Sequence, residues 1–184
     1  MKRSQGAARS VTRFVVLNLL AVGLAAVSSA DAEPVQWTAE SGGNGHWYEF
    51  VDAATTWQGA KVAAGAKSHL GMVGYLGTIT SYDEQRFILS TVSESVMWLG
   101  GTDEQTDGTW KWVTGPETGQ VFFGPGVPVG AFSYWYPGEP NSMGLGEDYL
   151  HMGWHAPGGW NDNGSPNELK LSVLASTRLW ATVV

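Results

Sequence analysis

The chain contains no cysteine. Disulfide staples, on which many small secreted domains depend, are therefore excluded, as are thiolate ligands for zinc and a cysteine nucleophile. Basic residues are also scarce, ten Lys or Arg against seventeen Asp or Glu. Four of the ten, Lys2, Arg3, Arg9 and Arg13, crowd the N-terminus. Without residues 1–32, six basic residues (Lys61, Lys67, Arg86, Lys111, Lys170, Arg178) face sixteen acids, a net charge of −10. Phosphate contacts need clustered cations, so this balance argues against a nucleic-acid partner and is compatible with binding cations. No HExxH pattern and no convincing Ser-His-Asp arrangement is present, so an enzyme is not expected; a calcium-assisted glycosidase would be the enzymatic alternative.

Long apolar runs are few. The run Phe14 to Val27 is shorter than the ~20 residues of a comfortable membrane span. It follows the basic N-terminus and precedes Ala30-Asp31-Ala32, a small-x-small cleavage pattern. Residues 1–32 therefore read as a secretory signal peptide, with an uncleaved anchor as the alternative. The expected location is secreted, periplasmic or cell-surface, with no membrane span after cleavage. Residues 33–184 suit one domain with one core, and no internal repeat is visible.

Tryptophan is plentiful, ten residues in all, and can bury a large apolar area per residue. Residues 44–51 follow a Gly-rich turn and predict a first strand; His46 there has no ligand partner at useful spacing and reads as a surface or core residue. Asp52 predicts an N-cap for a helix over 53–66, with Ala53, Trp57, Ala60 and Ala64 on one face. Tyr75–Ile79 predicts a short strand. Ser81-Tyr82-Asp83-Glu84 has the form of a capping box, opening a second helix that carries Phe87, Ile88 and Val92 inward. Its acids suit a helix N-terminus rather than a metal. Val96–Gly101 and Trp110–Trp112 predict two further strands, separated by an Asp107-Gly108 turn. From Val113 to about Gly146 no periodicity shows, which points to a long functional loop. A strand over 148–152 follows, and Trp160 starts its partner. Two apolar runs, 168–174 and 179–184, compete for the closing strand.

Two clusters flank the end of the long loop: Glu139-Pro140-Asn141 with Glu147, and Trp160-Asn161-Asp162. They offer three carboxylates and two amides, with no Cys and no basic residue among them. Ca²⁺ takes six to eight oxygens at roughly 2.3–2.6 Å, and such hard donors suit it; zinc would call for thiolate or imidazole.

Glu-Pro-Asn, a Glu six residues after the Asn, and then Trp-Asn-Asp resemble the calcium and sugar site of C-type lectin domains. Val96-Met97-Trp98-Leu99-Gly100 resembles the buried strand of that family, and the order strand, helix, strand, helix, strand, strand is similar as well. The likeness spans roughly residues 36–163. It implies an α+β fold, two helices flanking antiparallel sheets with a long calcium-binding loop region. It also implies that Glu139, Asn141, Glu147, Asn161 and Asp162 are both the calcium ligands and the sugar-binding residues, around one calcium. A second calcium is not expected: Asp148 could contribute, but Ser142 stands where a carboxylate would help. The bond before Pro140 is expected to be cis in the calcium form, whereas an ordinary loop proline would be trans.

In this scheme two neighbouring sugar hydroxyls each give a lone pair to Ca²⁺, donate to a carboxylate and accept from an amide. The order Glu before Asn resembles the mannose type, which implies mannose, glucose, N-acetylglucosamine or fucose as partner. Trp135, Trp154, His155 and Trp160 could stack on a sugar or pack in the core. One monosaccharide of about a dozen heavy atoms is worth ~4–5 kcal/mol, near millimolar, so a homo-oligomer or a repeated ligand would raise avidity. The competing reading is a protein-interaction or surface-structural module that uses calcium only to shape its loop.

Overall fold

The computed structural model describes residues 32–143, 146–153 and 157–164, and the backbone of 170–176. The signal segment up to residue 31, Trp154, His155 and the run 179–184 lie outside the described residues.

The fold is α+β and is organised by one strand near the C-terminus. Strand β1 (Val35–Gln36) pairs antiparallel with β2 (Trp47–Thr55) across a 3-10 turn. Helix α1 (Trp57–Ala66) leads into the hairpin β3 (Ser68–His69) and β4 (Met72–Leu76), and α2 (Tyr82–Phe87) runs on as a π turn through Val92. Strands β5 (Met97–Thr102), β6 (Trp110–Trp112) and β7 (Val121–Phe123) follow, then β8 (Tyr149–Met152), β9 (Trp160–Asn163) and β10 (Lys170–Ser176). Strand β10 lies antiparallel to both β2 and β4 and parallel to β5, with Leu171 opposite Met97. It therefore joins the N-terminal hairpins to β5. Strand β8 pairs with β5 on one edge and with β9 on the other.

Several boundaries differ from the sequence expectation. Residues 53–55 belong to β2, not to α1, because Lys170 of β10 pairs as far along as Thr55. Ala53 is accordingly exposed. Thr56, not Asp52, caps α1, its hydroxyl accepting from the Gly59 N–H at 3.1 Å. Trp57, Ala60 and Ala64 do form the buried face. The strand expected at 75–79 is shifted to 72–76 by its hairpin partner at 68–69. Within the region expected to lack regular structure, Val121–Phe123 adds to β6 as β7. Of the two closing candidates, residues 170–176 form the strand.

The α2 cap forms at Ser81, whose hydroxyl accepts from the Glu84 N–H at 3.2 Å. Glu84, however, does not simply sit at a helix end. It is buried and accepts from Tyr48 Oη (2.5 Å), Asn44 Nδ2 (2.9 Å), the Thr80 N–H (2.7 Å) and Thr80 Oγ1 (3.0 Å). One carboxylate thus ties α2 to β2 and the first hairpin, across thirty-six residues of chain. Such charge-assisted bonds are the strong ones, and they provide a long-range tie in a chain without disulfides.

The core is aromatic. Trp98, Trp110, Trp112 and Trp160 are all fully or almost fully buried, and both Trp of β6 face inward as the period-two pattern predicts. Trp57 Nε1 donates to the Leu99 carbonyl at 2.7 Å, locking α1 onto β5.

Candidate functional site

Strand β9 carries Asn161 and Asp162, and its placement is set by Trp160. The Trp160 indole is surrounded by Trp112, Phe122, Phe132 and Trp135, with centroids 5.6 to 6.1 Å away. Its Nε1 donates to Gln85 Oε1 at 2.9 Å, while Gln85 Nε2 donates to the Gly158 carbonyl at 2.9 Å. Gln85 on α2 therefore fixes the start of β9, a role the sequence reading did not identify. Trp160 is a packing residue with no surface left for a sugar, and Trp135 also packs into this cluster.

The loop bearing Glu139 and Asn141 is stitched to β9 by its backbone. The Trp160 N–H donates to the Tyr134 carbonyl (2.8 Å), and the Tyr136 N–H donates to the Trp160 carbonyl (2.9 Å). The Glu139–Pro140 peptide bond is cis. Beyond it, Asp162 reaches across twenty-one residues of chain: Oδ2 accepts from the N–H of Asn141 (3.0 Å) and of Ser142 (2.7 Å), and Oδ1 lies 3.2 Å from the Asn141 N–H. The Met143 N–H is shared by Asn141 Oδ1 and Glu147 Oε2, each at 3.0 Å. The two clusters separated in sequence are thereby brought into one neighbourhood.

Electrostatics shows the same proximity. Burial, then a hydrogen bond with Asp162, then the charges of Asp162 and Glu147 push the Glu139 carboxyl up to about 7. Three acids share this small region, and an ionised Glu139 is disfavoured beside the other two. Asp148 responds to a different set: burial first, then Glu104 and Asp107, raise its carboxyl. Ser142 contributes its backbone N–H to Asp162. His46 lies elsewhere, 3.4 Å from Tyr75 Oη.

Among the described residues no three His, Asp or Glu side chains are gathered as a finished cation cage. Two of the five residues are amides, and the carboxylates of Glu147 and Asp162 accept backbone N–H groups. The donor set nevertheless fits a hard cation. It is all oxygen on the acceptor side, it holds three acids, and it includes Asn161 Oδ1, which is buried without a hydrogen-bond partner. A buried carbonyl oxygen of this kind calls for a hydrogen-bond donor or a cation. Asn161 Nδ2 is occupied, 3.0 Å from His151 Nε2 and 2.6 Å from the Asp162 carbonyl oxygen. His151, on β8 directly opposite Asn161, was not singled out from sequence. The strand alternation that places it there becomes readable only once the β8–β9 register is known.

Comparison with known proteins agrees with this architecture. A model of the lectin C-type domain matches residues 53–171. Halomucin of Haloquadratum walsbyi is 41% identical over 133 residues, 72% of this chain and 1% of that protein. Hepatic lectin of Gallus gallus is 33% identical over 118 residues, 64% of this chain and 49% of that one. The chain thus spans about half or less of these curated relatives. The C-type carbohydrate-recognition domain of cow CD23, solved in the presence of a GlcNAc2Man3 oligosaccharide, is 30% identical with a TM-score of 0.55, covering 71% of this chain and 86% of that domain. The match of the family model over most of the folded region means that the chain belongs to the lectin C-type domain family, whose members are binding proteins rather than enzymes.

Proposed function

We propose that this chain is a secreted, calcium-dependent carbohydrate-binding module of mannose type. Glu139, Asn141, Glu147, Asn161 and Asp162 would hold one calcium ion. When bound, calcium supplies the positive charge to which sugar hydroxyl oxygens coordinate. Glu139 and Glu147 accept hydrogen bonds from two neighbouring hydroxyls, and Asn141 donates to one of them. Asn161, whose Nδ2 is already engaged by His151 and the Asp162 carbonyl, serves the ion through Oδ1. Asp162 orders the loop and adds negative charge for the ion. The observation that carries the reading is the buried Asn161 Oδ1 without a hydrogen-bond partner, on the residue adjoining Asp162, whose carboxylate meets the loop of the other cluster.

Secretion rests on residues 1–32 acting as a cleaved signal, leaving 33–184 as the binding domain. Among the described residues no helix is long and apolar enough to cross a membrane. Relevant affinity would come from several copies or from repeated ligands. The deciding experiment is retention on immobilised mannose: excess chelator should abolish it, and retention in excess EDTA would sink the proposal.

One observation favours a second reading. Asp162 already caps the N–H groups of Asn141 and Ser142, so these acids can shape the loop without any sugar. A glycan array without signal, together with a melting temperature that still rises with calcium, would favour a loop-shaping role.

A further inference from the structure

We propose that His151 is a positioning residue for the cation site: its Nε2 accepts an amide N–H of Asn161 and so holds Asn161 Oδ1 toward the ion. This rests on the ligand set proposed above.

The orientation of the Asn161 amide follows from its neighbours. One of its two terminal atoms lies 2.6 Å from the Asp162 carbonyl oxygen. A carbonyl oxygen only accepts, so the atom facing it must be the NH₂ nitrogen. The same nitrogen lies 3.0 Å from His151 Nε2. Because the amide nitrogen donates, His151 Nε2 must accept, which places the ring proton on Nδ1 and leaves the imidazole neutral. Both amide hydrogens are then committed, one to Asp162 and one to His151. Asn161 Oδ1 is turned away from both, and it is the buried oxygen with no hydrogen-bond partner.

His151 is well placed to enforce this. It is fully buried, stands directly across from Asn161 in the β8–β9 ladder, and meets the Trp98 ring at 5.8 Å and 82°. The ring therefore cannot swing away without disturbing the core. Turning the Asn161 amide over would set Oδ1 against the Asp162 carbonyl and present NH₂ to the cation, the wrong polarity at both ends. Partners of this kind behind a metal ligand commonly govern affinity without touching the ion.

The test compares His151→Phe and His151→Gln with the unaltered full chain, using calorimetric titration of Ca²⁺ alone and melting of the calcium-free protein. Phe fills the space without an acceptor and should weaken calcium binding by about 10- to 100-fold. Gln can offer Oε1 where Nε2 stood and should recover most of that loss, whatever either variant does to the calcium-free melting temperature. Undiminished calcium affinity in His151→Phe overturns the role of His151 alone. So do equal affinity losses in both variants that track their melting temperatures. Absence of calcium uptake by the unaltered chain overturns the ligand set, and this role with it. Should His151→Phe not fold, ¹⁵N shifts of the unaltered, calcium-free protein decide: a proton on Nδ1 supports the assignment, and a proton on Nε2 overturns it.

Discussion

Replacing Asp162 with Asn separates the two tasks assigned to this side chain. Oδ2 of Asp162 carries the short bonds, 2.7 Å to the Ser142 N–H and 3.0 Å to the Asn141 N–H. An Asn oxygen in that place keeps both. Its NH₂ falls where Oδ1 stood and loses the 3.2 Å contact. Against that loss, one of the three neighbouring acids disappears, which relieves the repulsion that, after burial and the hydrogen bond with Asp162, helps raise Glu139. One weak bond lost and one like-charge contact removed are each worth about 1 kcal/mol, so the calcium-free stability should change by no more than about that amount.

The calcium arm should differ sharply. At free calcium of about a thousand times Kd, binding adds about 4 kcal/mol to the unaltered chain. In a domain of about 150 residues this raises Tm by roughly 8–16 °C. The variant loses an anionic ligand, and its calcium-induced rise should shrink to about 2 °C or less. Scanning calorimetry of both proteins, in chelator and in calcium, reads the two arms separately. An unchanged calcium increment in Asp162→Asn would refute the assignment. A calcium-free destabilisation above about 3 kcal/mol would instead make Asp162 a structural anchor, beyond what its hydrogen bonds explain.

Two further outcomes are expected. Glu84→Leu strips the partner from Tyr48 Oη, Asn44 and the Thr80 N–H in a buried site and should cost about 3–5 kcal/mol in urea unfolding, with Glu84→Gln costing about half that; a loss under about 1 kcal/mol would show that the network is not a tie. The pH dependence follows from Glu139, whose carboxyl stands at about 7 against an ordinary 4.5. Between those values the folded, calcium-free chain keeps a proton that the unfolded chain has released, so its stability falls as pH rises through about 7. Calcium requires the carboxylate, so its affinity should climb up to about tenfold per pH unit below 7 and level off above. Titrations at several pH values that show flat affinity from about pH 5.5 to 7 would refute this.

Much of the molecule was readable from local pattern. Both Trp of β6 face inward because side chains alternate along a strand. The Ser81 cap forms because its hydroxyl lies within reach of the Glu84 N–H. The two oxygen-rich clusters stood out by residue type alone, and the fold class followed from their resemblance together with the order of elements. Other features depended on partners far away in the chain. Strand β2 continues to Thr55 because β10 pairs with it, so a helix cap expected at Asp52 moved to Thr56. Glu84 reads as a first-turn acid, yet it is a buried junction of three segments. His151 looks like any strand residue until the ladder sets it against Asn161. Periodicity reports which way a side chain points. Only the packed structure decides what it meets there, because hydrogen-bond partners and dielectric surroundings are supplied by residues distant in sequence.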